Sequence, residues 1–181
     1  MKKINYTSIF LVTSLLLAFS CATPKVVYDY DKEVNFSTYK TFDFYPNLQL
    51  NMNQLDSSRV IQHIESALLA KGIKKSSAPD LFVNIISEQF ETPSNNSIGI
   101  GLGTGGRNVG VGVSGGIPIR SNTLTQFFKI DLIDVAEDVL VWQASFEGKF
   151  KKNITPEAKN EFLKNSFVKI FSRYPPKGNE N

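Results

Sequence analysis

The chain has 181 residues, with 20 Lys and Arg against 17 Asp and Glu, one histidine and one cysteine. That length fits one domain able to bury enough surface to need no disulfide or metal staple. A single thiol and a single imidazole exclude disulfide frameworks, thiolate metal sites, redox pairs and histidine-rich metal centres.

In chain order, Met1-Lys2-Lys3 gives a positive start, an apolar run extends from Ile9 to Phe19, and small Ser20 precedes Cys21. The run fits the roughly 7 to 15 residues of an export-signal core. It falls short of the about 20 apolar residues that a spanning helix requires. Residues 1–20 therefore read as a lipoprotein signal peptide, with Cys21 as the lipidated residue carrying palmitate-type acyl chains. Several chains together exceed the marginal membrane affinity of one. The competing reading is an ordinary secretory signal or a short membrane segment with Cys21 as a chance thiol; Ala18 stands where a lipidation motif most often has Leu. Removing residues 1–20 leaves 161 residues, with 18 Lys and Arg against 17 Asp and Glu. Such a near-neutral domain has no electrostatic footprint of a nucleic-acid binder.

Residues 21–25 form a short lipidated tether, and 26–176 form a single domain. Val26 to Asp31 and Tyr39 to Tyr45 are rich in aromatic and β-branched residues and predict strands, with Phe42 and Phe44 facing inward. Asn51 to Asp56 offers N-caps for a helix whose stripe is Val60, Ile61, Ile64, Ala67 and Leu68, closed by Gly72. Leu81 to Phe90 predicts a central strand, because Leu81, Val83 and Ile85 lie on one face and Phe82, Ile86 and Phe90 on the other. Leu124 to Val135 and Val139 to Phe150 alternate around a short polar link and predict a hairpin, with Leu140, Trp142, Ala144 and Phe146 expected on one face. Thr155-Pro156-Glu157 starts a second helix, whose expected buried face is Ala158, Phe162, Phe167, Ile170 and Phe171. Tyr174-Pro175-Pro176 stops it, and 177–181 is expected to be a disordered tail.

Two amphipathic helices over one face of such a sheet predict an α+β, two-layer sandwich with a mixed, largely antiparallel sheet. The other face is partly apolar and calls for a partner surface or an internal loop as cover.

Residues 92–121 form a Gly-rich insert holding nine of the 12 glycines. Two GxGxxG matches occur there, but a phosphate-binding fingerprint must open a helix, and these segments continue into glycine-dense, β-branched sequence and Pro118. Period-two alternation instead predicts a β-hairpin with an apolar face and a bare glycine face. Ile98, Ile100, Leu102, Val109, Val111 and Val113 are accordingly the candidate interaction residues, with a mobile loop as the plain alternative.

Catalytic candidates are few. His63 lies on the flank of the first helix, where a partly solvated histidine is the expectation over a general base. Asp131, Asp134, Glu137 and Asp138 gather around the hairpin, and Asp29, Asp31 and Glu33 around the first strand; neither group has calcium-loop spacing. Solvated turn charges account for both. Trp142 is expected in the core rather than on a carbohydrate platform. No catalytic residue, cofactor or metal ligand is assigned.

Tyr28-Asp29-Tyr30-Asp31, Phe36 to Phe42, Asp80-Leu81-Phe82-Val83, Asp131 to Asp134, Val139 to Trp142 and Tyr174-Pro175-Pro176 together resemble the bacterial envelope lipoproteins of domain of unknown function family 4136. Tyr174 stands where that family usually has Phe. The resemblance implies a lipid-anchored α/β domain in a Gram-negative cell envelope, and brings no catalytic residue. The sequence thus leads to a non-catalytic cell-envelope protein, a structural or interaction module for another envelope component or for itself, held to the membrane by its N-terminal lipid. Ala22 after the cysteine, in place of Asp, points to the outer membrane facing the periplasm. The alternative is a small-ligand binder or hydrolase acting on cell-wall or lipid substrates through the surface carboxylates.

Overall fold

The computed structural model describes residues 25–46, 48–91, 97–98, 117–118 and 122–177. In order, the elements are β1 (Lys25–Tyr30), a single 3-10 turn (Phe36–Thr38), β2 (Thr41–Phe44), α1 (Gln54–Leu69), β3 (Lys74–Lys75), β4 (Leu81–Glu91), β5 (Ser97–Ile98), β6 (Ile117–Pro118), β7 (Thr123–Asp134), β8 (Val139–Lys151) and α2 (Pro156–Phe171). The main sheet has the order β1-β8-β7-β4-β2-β3. β1, β8, β7 and β4 pair antiparallel, whereas β2 runs parallel to both β4 and β3. This is the predicted mixed, largely antiparallel sheet with two helices. The two-residue β3 is an addition that the sequence did not signal.

Local chemistry explains the helix ends. Asn53 caps α1, its side chain accepting from Asp56 N at 3.0 Å. Gly72 follows with a φ of 82°, in the left-handed region that costs glycine little. Thr155 caps α2 by accepting from Ala158 N, Pro156 occupies the first turn, and Lys169 lies in the last turn, where the dipole favours a cation. The β7–β8 turn is closed by Asp138, a non-glycine residue at φ 54° that Asp tolerates better than most.

The core lies between one sheet face and both helices. Val60, Ile64 and Leu68 of α1 and Leu163, Phe167, Ile170 and Phe171 of α2 pack over Phe42, Leu81, Val83, Ile85, Phe128, Ile130, Leu132, Trp142, Ala144 and Phe146. Each large apolar side chain buried this way contributes about 1.5–3 kcal/mol. Aromatic contacts orient the layer: Phe128 lies 4.9 Å from Phe167, and Trp142 stacks on Phe171 at 5.9 Å with Tyr174 edge-on at 5.5 Å.

Two expected faces differ from those observed. Ala158 is exposed and Leu163 is buried instead, because at roughly 3.6 residues per turn Ala158 stands about 140° round the helix from Leu163, off the stripe of Leu163, Phe167, Ile170 and Phe171. Leu140 does not share the face of Trp142. A register shift after Leu132 pairs Leu132 with Trp142 but Ile133 with Leu140, leaving Val141 as the extra residue of a bulge. Val141 is buried and Leu140 turns to the opposite face, where it is 49% exposed.

Candidate interaction surface

Strand alternation decides what stands on the sheet face opposite the helices. Inward residues of β4 are Leu81, Val83 and Ile85, so Phe82, Asn84, Ile86, Glu88 and Phe90 project to the other side. The register places Phe82 beside Ile133 and Ile133 beside Leu140, while Glu88 neighbours Phe127. On β1, Val27 faces the same way as Ser145 of β8. Phe90 is 48% exposed, and Ile86, Val27 and Leu140 are exposed with it. The expectation that β4 is apolar on both faces is met, with one face in the core and the other at this surface.

A polar row crosses the same face. Asn84, Asp131 and Gln143 are direct cross-strand neighbours. Asn84 Nδ2 donates to Asp131 Oδ2 at 3.2 Å and Gln143 Nε2 donates to Asp131 Oδ1 at 2.8 Å, leaving the carboxylate 8% exposed. Among the described residues, two amide donors fix both oxygens with no cation. Beside this row a cleft of about 270 Å³ is lined by Asp29, Tyr30, Asp31, Leu140, Val141, Trp142 and Gln143.

The carboxylates that the sequence groups together do not converge. Asp131 lies on the open face, but Asp134 accepts from the hydroxyl of core-facing Tyr39 at 2.7 Å and from Ala136 N and Glu137 N in the turn. Tyr39's hydrogen bond holds the Asp134 carboxyl below the ordinary carboxylate range, against some burial, and the turn amides add to it. Burial, then the Asp134 bond, raises the Tyr39 phenol. Asp29 Oδ1 accepts from Tyr30 N and Asp31 Oδ1 from Glu33 N, so each engages nearby backbone. Asp80 accepts from Lys40 N and Thr41 N, and the Lys40 bond is the main cause of its lowered pKa. These are turn and strand-end locks. His63 is half-buried, in line with the partly solvated helix position expected of it, and its Nε2 lies 2.9 Å from Asn160 Oδ1 on the other helix, a contact that the sequence did not signal.

Cys21, Ile100, Leu102, Val109, Val111 and Val113 lie outside the described residues, as do residues 178–181 of the tail. Ile98 belongs to β5, paired antiparallel with β6 through Ser97–Pro118 and Ile98–Ile117. Among the described residues no helix is long and apolar enough to cross a membrane, and no group of three or more His, Cys, Asp or Glu could hold a metal ion.

Sequence reasoning missed Asp56 as a buried charge. It is 4% exposed and bonded to Asn53 Nδ2 at 2.7 Å, Arg59 Nη1 at 2.8 Å and Lys159 Nζ at 2.5 Å. Burial works to raise its pKa; the Lys159, Asn53 and Arg59 interactions outweigh that and lower it. The Asn53-x-x-Asp56 spacing was a readable cap signal, but nothing local points to Lys159.

Solved structures share the fold at low identity. A PDZ domain protein from Parabacteroides distasonis matches with a TM-score of 0.53 and 15% identity over 94% of this chain, which spans 40% of that protein's length. The PelC dodecamer from Paraburkholderia phytofirmans, in two crystal forms, matches with a TM-score of 0.50 at 12% and 13% identity, over 83% of this chain and 95% and 96% of PelC. No curated protein matches the chain. A family match, in contrast, runs from the first to the last element, and on it the chain belongs, over residues 26–176, to the family described as Domain of unknown function (DUF4136).

Proposed function

We propose that this chain is a lipid-anchored, non-catalytic protein of the cell envelope, held through Cys21 at the outer membrane facing the periplasm, whose α+β domain is an interaction module for another envelope component. The observation that carries the reading is the open sheet face, where Ile86, Phe90 and Leu140 stand exposed on strands whose opposite side is the core. Leu140 lies on one side of the polar row of Asn84, Asp131 and Gln143 and Ile86 and Phe90 on the other, and large apolar side chains exposed among polar ones on a sheet face support a protein contact site. The signal-like residues 1–20 and Cys21 supply the location. The PelC structures are dodecamers, so a fold of this kind is compatible with assembly into larger bodies.

Two arms test the reading. Cys21→Ser is expected to lose acyl label and membrane retention while residues 26–176 stay folded; full retention without label would overturn the anchor. Ile86→Glu combined with Phe90→Glu and Leu140→Glu is expected to abolish specific co-purification of envelope components with unchanged circular dichroism. Identical captured proteins from both chains would overturn the assignment of the face.

A further inference from the structure

We infer that the free edge of β1 is a docking surface for a second copy of this chain, which adds its own β1 antiparallel across a two-fold axis through Val27. This goes beyond the proposed function and does not rest on lipidation or export.

Hydrogen-bond parity shows what the edge offers. Asp31 N donates to Val141 O at 3.0 Å, and the β1–β8 register continues from Tyr30–Trp142 back to Lys25–Glu147. In an antiparallel ladder, bonded and non-bonded pairs alternate. Lys25, Val27, Asp29 and Asp31 therefore turn their amides to β8, and Val26, Tyr28 and Tyr30 turn theirs outward. Tyr30 N is taken by its neighbour's Asp29 Oδ1 at 2.9 Å, which ends the edge there. The outward N–H groups of Val26 and Tyr28 have no partner among the described residues. At the other edge of the sheet, β3 consists only of Lys74 and Lys75. A two-residue, doubly charged strand is the usual way of blunting an edge; β1, with six residues, is not blunted in that way.

The sequence of β1 is complementary to itself in one register. With Val27 opposite Val27 of the second copy, Val26 faces Tyr28 and Lys25 faces Asp29. The Val26–Tyr28 pairs bring the outward amides and carbonyls together, giving a backbone hydrogen bond in each direction at each of the two symmetric positions. Val27–Val27 and Lys25–Asp29 are then non-bonded pairs, the class whose side chains lie closest, so exposed Val27 is covered and two opposite charges meet at each end. Shifting the register by two residues would oppose Val27 to Asp29 and lose this match. Arg173 lies over the Tyr28 ring at 5.7 Å, beside the helix-side face of the added strand. The two Lys25 residues would be about 13 Å apart along the strands, four residues at about 3.3 Å each.

The test uses the full chain, purified with Cys21→Ser so that one introduced cysteine is the only thiol. Val27→Cys places two sulfurs across a non-bonded pair whose Cα separation suits a disulfide. Oxidation is expected to give a crosslinked dimer, while Val168→Cys, on the exposed face of α2, stays monomeric. Adding Tyr28→Pro removes an outward donor and is expected to abolish the crosslink of the Val27→Cys chain. Should that variant misfold, charge reversal reads the same contact: Lys25→Asp or Asp29→Lys alone weakens dimerisation, and the two together restore it. Crosslinking of Val27→Cys no greater than that of Val168→Cys, or no rescue by the double reversal, would overturn the proposal. If the Val27→Cys chain formed an adduct with a different protein in cell extract, without the homodimer, the second copy would be overturned as occupant.

Discussion

Lys159 Nζ in the first turn of α2 lies 2.5 Å from Asp56 Oδ2 in the first turn of α1, across 103 positions of sequence. The pair joins the two helices at the ends where both dipoles are positive. An acid there is favourable to both helices, and Arg59 and Asn53 complete its bonding. Replacing Asp56 by Ala would leave Lys159 and Arg59 facing each other with no anion. With Arg59 and Lys159 partly exposed, the expected loss is that of charge-assisted hydrogen bonds, about 1.5–3 kcal/mol, measured by urea unfolding at neutral pH. An unchanged midpoint would show the contact to be energetically idle.

The same carboxylate sets a pH dependence. Asp56, Asp80 and Asp134 all have lowered pKa values in the folded chain. A depressed folded pKa contributes stability that is complete above the ordinary carboxylate value, about 3.9, and is lost as pH falls through the lower folded values. Urea midpoints are therefore expected to be steady from neutral pH down to about 5 and to drop steeply below about 4. Asp56→Asn should flatten that drop; an acid limb of equal slope in the variant would exclude Asp56 as a contributor.

Two buried phenols make a contrast. Tyr39's hydroxyl donates to Asp134 at 2.7 Å, whereas the buried hydroxyl of Tyr174 has no hydrogen-bond partner among the described residues. Tyr39→Phe is expected to cost about 1 kcal/mol, and Tyr174→Phe, which keeps the ring against Trp142 and Phe36, to be neutral or to stabilise by about 1 kcal/mol. Thermal melts of both variants decide it. A clear destabilisation of Tyr174→Phe would mean that its hydroxyl is satisfied in solution.

Among the described residues Asp131 is held by two amides. Asp131→Ala strips the acceptor from Asn84 and Gln143 while leaving both side chains in place. Leaving partly buried donors unmade predicts a loss of about 1–2 kcal/mol, with the β4–β7–β8 amides exchanging faster in hydrogen-exchange measurements. Retained protection would reduce the polar row to surface decoration.

Gly148 has a steric reason to be glycine. A Cβ there would sit 2.7 Å from Phe146 Cε1 and 2.9 Å from Phe162 Cε2. Gly148→Ala is expected to cost about 1–3 kcal/mol through overpacking, and Phe162→Leu in the same chain to recover part of it. Equal melting temperatures for Gly148→Ala and the parent chain would show that the rings yield freely.

The elements and most of their faces are legible in the local order of residues. Val60, Ile64 and Leu68 recur at the helical period, and Phe128, Ile130 and Leu132 at the strand period, so each segment had one way to bury its apolar side. Asn53, Gly72 and Thr155-Pro156 marked helix ends through contacts within a few residues. The apolar outer face of β4 was equally readable. Other outcomes emerge only in the assembled fold: which strands run parallel, that Lys74–Lys75 forms an edge, that a bulge at Val141 turns Leu140 outward, that Asp131 and Asp134 part company, and that Lys159 neutralises Asp56. These depend on register and on partners far away in sequence, as the 103 positions between Lys159 and Asp56 illustrate. Period and capping are enforced by neighbouring backbone, whereas long-range pairing is settled only when competing arrangements bury their surfaces together, and no local pattern encodes that comparison.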